Sequence, residues 1–119
     1  MHKTLLQITY WTLLASGILH YIADVLSQYL RGVRTPSAET TLYYGLNTAY
    51  ALGQVVFATC ALLILRSGSS LMDSTGGIAL SFAAVIGWLV FSFVFIEYTP
   101  PRIFMGLVLA LLVVATVVR

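Results

Sequence analysis

Charged side chains are scarce in this sequence: six Lys or Arg and four Asp or Glu stand among 119 residues, 8% of the chain. A water-soluble domain usually carries about 25%. A chain this short also has too much surface for its volume to hide so many apolar side chains in one core. With 60% of residues hydrophobic and a mean hydropathy of +0.96, lipid is the solvent that the composition requires.

The other scarcities are equally informative. The basic residues Lys3, Arg31, Arg34, Arg66, Arg102 and Arg119 are scattered, so no patch exists to hold phosphates, which argues against a nucleic-acid partner. Cys60 is the single cysteine, which rules out an intrachain disulfide and leaves the redox compartment unreadable. No nucleophile motif, metal motif or phosphate-binding glycine loop is present. Ala15-Ser16-Gly17 is a poor cleavage site and the apolar run continues past it, so the first segment is expected to be retained.

Four apolar runs remain, at residues 5–26, 41–65, 75–96 and 103–118, and about 20 mostly apolar residues suffice for a helix to cross a bilayer. Stretches such as Ala61 to Leu65 and Val85 to Phe91 do not alternate in polarity, which argues against a barrel. The expectation is an all-α integral membrane four-helix bundle, one transmembrane domain over residues 1–119 with short connectors. Thr35-Pro36 and Thr99-Pro100 each read as an N-cap followed by proline at the first helical position. Pro101 keeps the third helix from running into the fourth. Ser67-Gly68-Ser69-Ser70 is a flexible connector, with Asp73 or Ser74 capping the third helix.

An even number of spans returns both ends to one side, and basic residues near the spans set which side. Here Lys3, Arg66 and Arg119 oppose Arg31, Arg34 and Arg102. Two readings stay open: one orientation set by something else, or insertion both ways as an antiparallel dimer. The expected setting is the cell's inner (plasma) membrane, with lipid, a second copy or a larger membrane complex as partner.

Helices in lipid associate through small residues and polar contacts. Gly45, Ala49 and Gly53 form a small-residue stripe on the second helix, and Tyr43, Asn47, Tyr50 and Gln54 cluster opposite, so this helix is expected to be central. Comparable stripes are Ala79, Ala83 and Gly87 on the third helix and Gly106 and Ala110 on the fourth.

The first helix carries Thr9, Ser16, His20, Asp24 and Ser27 within one arc, a face too costly to leave against lipid. Helix direction then predicts His20, Asp24, Tyr43, Asn47, Glu97 and Arg102 near one mouth of the bundle, with the opposite half nearly free of ionisable groups. Each has a plain structural role open to it: His20 as a hydrogen-bonded interior residue, Asp24 and Glu97 as solvated span ends, Arg102 as a snorkelling partner of Glu97, Trp11 and Trp88 as belt residues.

Taken together they suggest chemistry. A carboxylate beside a histidine in a low-dielectric cavity exchanges protons and holds a cation when ionised. The expected site is His20, Asp24, Tyr43, Asn47, Tyr50, Gln54, Glu97 and Arg102, taking a small amphipathic or cationic ligand, with the tyrosines as aromatic surface. The competing classes are an intramembrane enzyme on a lipid-like substrate, with His20 or Glu97 as general base, and a non-catalytic subunit or adaptor. No cofactor and no metal are expected. His20 and Asp24 supply two ligands at helical spacing, too few for a stable site, and His2 lies at the far end from His20, which prevents one chain from ligating a buried haem with both.

Overall fold

A computed structural model describes all 119 residues and is entirely helical. The first rod begins as α1 (His2–Tyr21), passes through a π-turn (Ile22–Leu26) and continues as a short extension (Ser27–Arg31). Helical dihedrals at both junctions keep the rod continuous. It stops at Gly32, whose φ of 62° is left-handed, a conformation in which glycine alone avoids a Cβ clash. The Val33 amide then donates to the Gln28 carbonyl, closing a Schellman-type end.

The remaining helices are α2 (Ala38–Arg66), α3 (Thr75–Phe95) and α4 (Thr99–Val117), with a single 3-10 turn at Leu71–Asp73 before α3. Ser37 caps α2 by accepting the Thr40 amide at 3.1 Å. Thr35, the expected cap, instead offers its carbonyl to the Thr40 hydroxyl. The cause is reach: Ser37 is extended and stands three residues before the amide it satisfies. Ser74 caps α3 by accepting the Gly77 amide at 3.1 Å. Tyr98 precedes α4, and Pro100 and Pro101 fall within its first turn, where a missing N–H leaves nothing unsatisfied.

Three of the four helices, α2, α3 and α4, are long and apolar enough to cross a membrane, judged by length and composition. Leu42, Leu52, Leu63, Leu80, Phe93, Ile103 and Val117 are among the large apolar side chains on the outer surface. α1 falls short because Gln7, Thr9, Thr12, Ser16 and His20 dilute its apolar residues. Its position explains how it tolerates them. α1 packs most extensively on α2 and next on α4, α3 packs on α4, and the backbones of α2 and α3 scarcely approach one another. Buried Leu6, Thr9, Tyr10, Leu13, Ser16, Gly17 and His20 recur every three or four residues along it, the spacing of one helix face.

The central helix is therefore α1, where the small-residue stripe pointed to α2. Gly45 and Ala49 are exposed, and a Cβ on Gly45 would meet nothing within 4 Å. The close approach lies on the other face. A Cβ on Gly17 would stand 2.9 Å from Val55 Cγ2, 3.0 Å from the Ala51 carbonyl oxygen and 3.1 Å from Gln54 Cβ. Consequently the face of α2 bearing Asn47, Tyr50 and Gln54 is also its contact face, because Asn47 and Gln54 find partners on α1. Aromatic rings fill the wider seam between α2 and α3, with Tyr50 stacked on Phe91 at 5.1 Å and Phe57 edge-on to Trp88 at 5.6 Å.

Candidate functional site

His20 sits one turn from Asp24, at the point where α1 enters its π-turn. Its Nδ1 lies 2.8 Å from Asp24 Oδ2, and its Nε2 lies 2.8 Å from Asn47 Oδ1 on α2. Asn47 Nδ2 donates to the Tyr43 carbonyl at 2.9 Å, which fixes the amide with its oxygen toward His20. Nε2 must then carry a proton and donate it. A neutral imidazole would present only a lone pair at Nδ1, and a lone pair repels an ionised carboxylate. The contact is attractive when the pair holds one further proton, shared between His20 and Asp24. The carboxylate stands off the Nδ1–H direction, so the link is ionic in character and Nδ1 has no linear hydrogen bond.

The rest of this layer is nearly dry. The His20 side chain is 3% exposed and that of Asp24 17%, with the Tyr50 ring edge-on to the imidazole at 4.9 Å. Deeper in, Ser16 Oγ donates to Gln54 Oε1 at 3.1 Å. The Tyr50 hydroxyl and Gln54 Nε2 are buried without a partner.

A cleft of about 120 Å³ opens beside the pair, lined by Ser16, His20 and Asp24 on α1 and by Pro100, Pro101 and Phe104 at the start of α4. Larger grooves exist, such as one of about 340 Å³ over Gly17, Ile18, Ala51 and Val55. That trough is lined mostly by apolar side chains and lies on the outer surface. The small cleft is the one lined by His20 and Asp24.

The expected members divide into two sets. His20, Asp24, Asn47, Tyr50 and Gln54 come together in and below this layer. Tyr43 joins through its backbone carbonyl, while its ring faces the connector. Arg102 and Glu97 lie apart. Arg102 donates to the Ile96 carbonyl at 2.9 Å and the Ser92 carbonyl at 3.4 Å, satisfying the end of α3 where the chain turns. Glu97 is exposed and makes no ion pair with it, since the guanidinium is already engaged by those carbonyls.

A neighbouring network went unrecognised in the sequence. Gln28 Nε2 reaches the hydroxyls of Tyr43 and Tyr98, each at 3.3 Å, and Arg34 donates to Gln28 Oε1 at 3.2 Å. The Arg34 guanidinium lies 3.5 Å over the Tyr43 ring. Burial pulls the Arg34 guanidinium down; the Tyr98 hydrogen bond and the Tyr43 phenol outweigh it and leave the group above its ordinary value. Gln28 falls one residue after Ser27 on the α1 rod, in the extension that hydropathy alone leaves outside the helix.

The opposite end is also polar, where few ionisable groups were expected to meet. His2 contacts Asp73, which also lies 3.9 Å from Arg119. No family model, no curated protein and no solved structure matches the chain.

Proposed function

We propose that this chain is a plasma-membrane protein of four spans, in which the His20–Asp24 pair exchanges its proton for a small cation entering through the cleft between α1 and α4. The observation that carries this reading is the pair itself: one carboxylate and one imidazole whose second nitrogen is committed to Asn47, beside an opening. Loss of the shared proton leaves a carboxylate next to a neutral ring, a site suited to a cation. The π-turn containing Asp24 adds support, since such turns concentrate at functional sites.

Size and aromatic occupancy narrow the ligand class. About 120 Å³ holds an ion with a few waters, or a small ammonium, and not a broad amphipathic molecule. One face of Tyr43 is covered by Arg34 and one face of Tyr50 by Phe91. An intramembrane enzyme with His20 as general base is less well supported, because Nε2 is committed to Asn47, Nδ1 faces the Asp24 carboxylate, and Ser16 is tied to Gln54. Lipid is the partner that suits the apolar exterior, and a second copy alongside is compatible with it.

The test is proton release in weakly buffered detergent solution on adding sodium, potassium, ammonium or methylammonium. Wild-type protein should release about one proton per chain with at least one of these cations, and Asp24→Asn should release none. No release from wild type with any of the four, or equal release from Asp24→Asn, refutes the proposal.

A further inference from the structure

Both ring nitrogens of His2 face atoms that accept hydrogen bonds. Nδ1 meets the Ala115 carbonyl oxygen in the last turns of α4, and Nε2 meets Asp73 Oδ1 in the turn before α3. A peptide carbonyl oxygen can only accept, so Nδ1 must donate. Nε2 then faces a carboxylate, and the contact is attractive when a second proton lies there. The His2 side chain is 13% exposed, so water does little to relieve an unpaired arrangement.

The turn that carries the carboxylate packs closely on α3. A Cβ on Gly77 would lie 2.2 Å from the Leu71 carbonyl oxygen and 2.8 Å from Met72 Cα, so the 3-10 turn rests directly on the first turns of α3. Met72 is buried and Ser74 caps α3. Asp73 is thereby presented to His2 from a closely packed turn.

From this geometry we infer a second proton-binding site, formed by His2, Asp73 and the Ala115 carbonyl, whose protonated form latches α1, the α2–α3 connector and α4 together. The charged groups around it are few. Arg119, from the end of α4, is the other cation near Asp73, at 3.9 Å. Lys3 on α1 and Arg66 at the end of α2 are exposed and form no ion pair, and Met1 with its amino group is exposed. Arg119 gives Asp73 a fallback partner once His2 is neutral, which makes release of the latch reversible and not a collapse of this end. The sign follows: the latch is closed at low pH and opens as pH rises and His2 gives up its proton. The inference stands on different residues from the His20–Asp24 proposal.

The experiment is amide hydrogen exchange of residues 69–77 in the full chain in detergent or nanodiscs across a pH series, corrected for the intrinsic pH dependence of exchange. Imidazole ¹⁵N spectra of the same protein read the protonation of each ring. The expected result is a protected connector while both His2 nitrogens carry protons. Corrected exchange should then rise roughly tenfold as one proton is lost, because the segment opens locally. Asp73→Asn and His2→Gln should each exchange fast, with no remaining pH step. Cation-induced proton release by these two variants should match wild type, which separates this site from the one at His20. Connector protection that ignores pH, or that survives both substitutions unchanged, overturns the inference, as does a singly protonated His2 wherever the connector is protected.

Discussion

Gly17 offers the sharpest test of the packing. Replacing it with alanine places a Cβ 2.9 Å from a Val55 methyl and 3.0 Å from the Ala51 carbonyl oxygen. Valine is stiff at χ1 and a helix carbonyl cannot turn aside, so α1 and α2 must separate by several tenths of an ångström. Overpacking of this kind costs about 1–3 kcal/mol. Alanine also favours a helix over glycine by up to about 1 kcal/mol, which masks part of the loss. Gly45→Ala supplies the control, since its new Cβ meets open space and it carries the same propensity gain. The difference between the two variants therefore isolates the steric part, about 1–3 kcal/mol. Equilibrium unfolding by SDS titration, followed by circular dichroism, measures it. Separation should also lengthen the contacts on either side of Gly17, from Ser16 to Gln54 and from His20 to Asn47. Equal stability of the two variants would mean that the α1–α2 interface is not where the structure puts it.

Asn47→Ala removes the acceptor for the His20 Nε2 proton at a side chain that is 3% exposed, and SDS titration should record a loss of about 0.6 kcal/mol and no more than about 1.7 kcal/mol, the average and the maximum for side-chain hydrogen bonds between membrane helices. Tyr10 and Ser81 form an asymmetric pair: Ser81 Oγ donates to the Gly77 carbonyl, so the Tyr10 hydroxyl must donate to Ser81. Ser81→Ala strands that hydroxyl, and should cost more than Tyr10→Phe, by about 1 kcal/mol or more in the same assay; the reverse order would refute the assignment. Cys60 is exposed on an apolar groove lined by Val56, Leu80 and Trp88. In proteoliposomes it should resist a charged thiosulfonate reagent and react with it after SDS denaturation, because a charged reagent does not enter the hydrocarbon layer; rapid labelling in intact vesicles would count against insertion of α2.

Hydropathy makes the helical runs legible because the segments are long and their breaks are marked by Gly, Ser and Pro. It cannot say which helix lies in the middle. That depends on partners: the α2 stripe at Gly45 and Ala49 has the spacing of a contact face, yet Asn47 and Gln54 win the opposite face for contact by bonding to His20 and Ser16. The approach of His20 to Asn47 is legible from direction and depth, since antiparallel helices bring equal distances from the connector together. Arg102 and Glu97 are not, because position near a mouth does not reveal that a guanidinium will prefer the unsatisfied carbonyls at the end of α3. The meeting of His2 and Asp73 joins residues 71 apart in sequence, and no local pattern announces it.

The seam between α2 and α3, bridged by rings and not by close backbone contact, is where the bundle would part first. With α1 clasped between α2 and α4, and α3 attached chiefly through α4, opening there would leave the α1–α4 contact intact as a spine. The first interior groups uncovered by that motion are the paired rings of Tyr50 and Phe91, with the partnerless Tyr50 hydroxyl and Gln54 amide behind them.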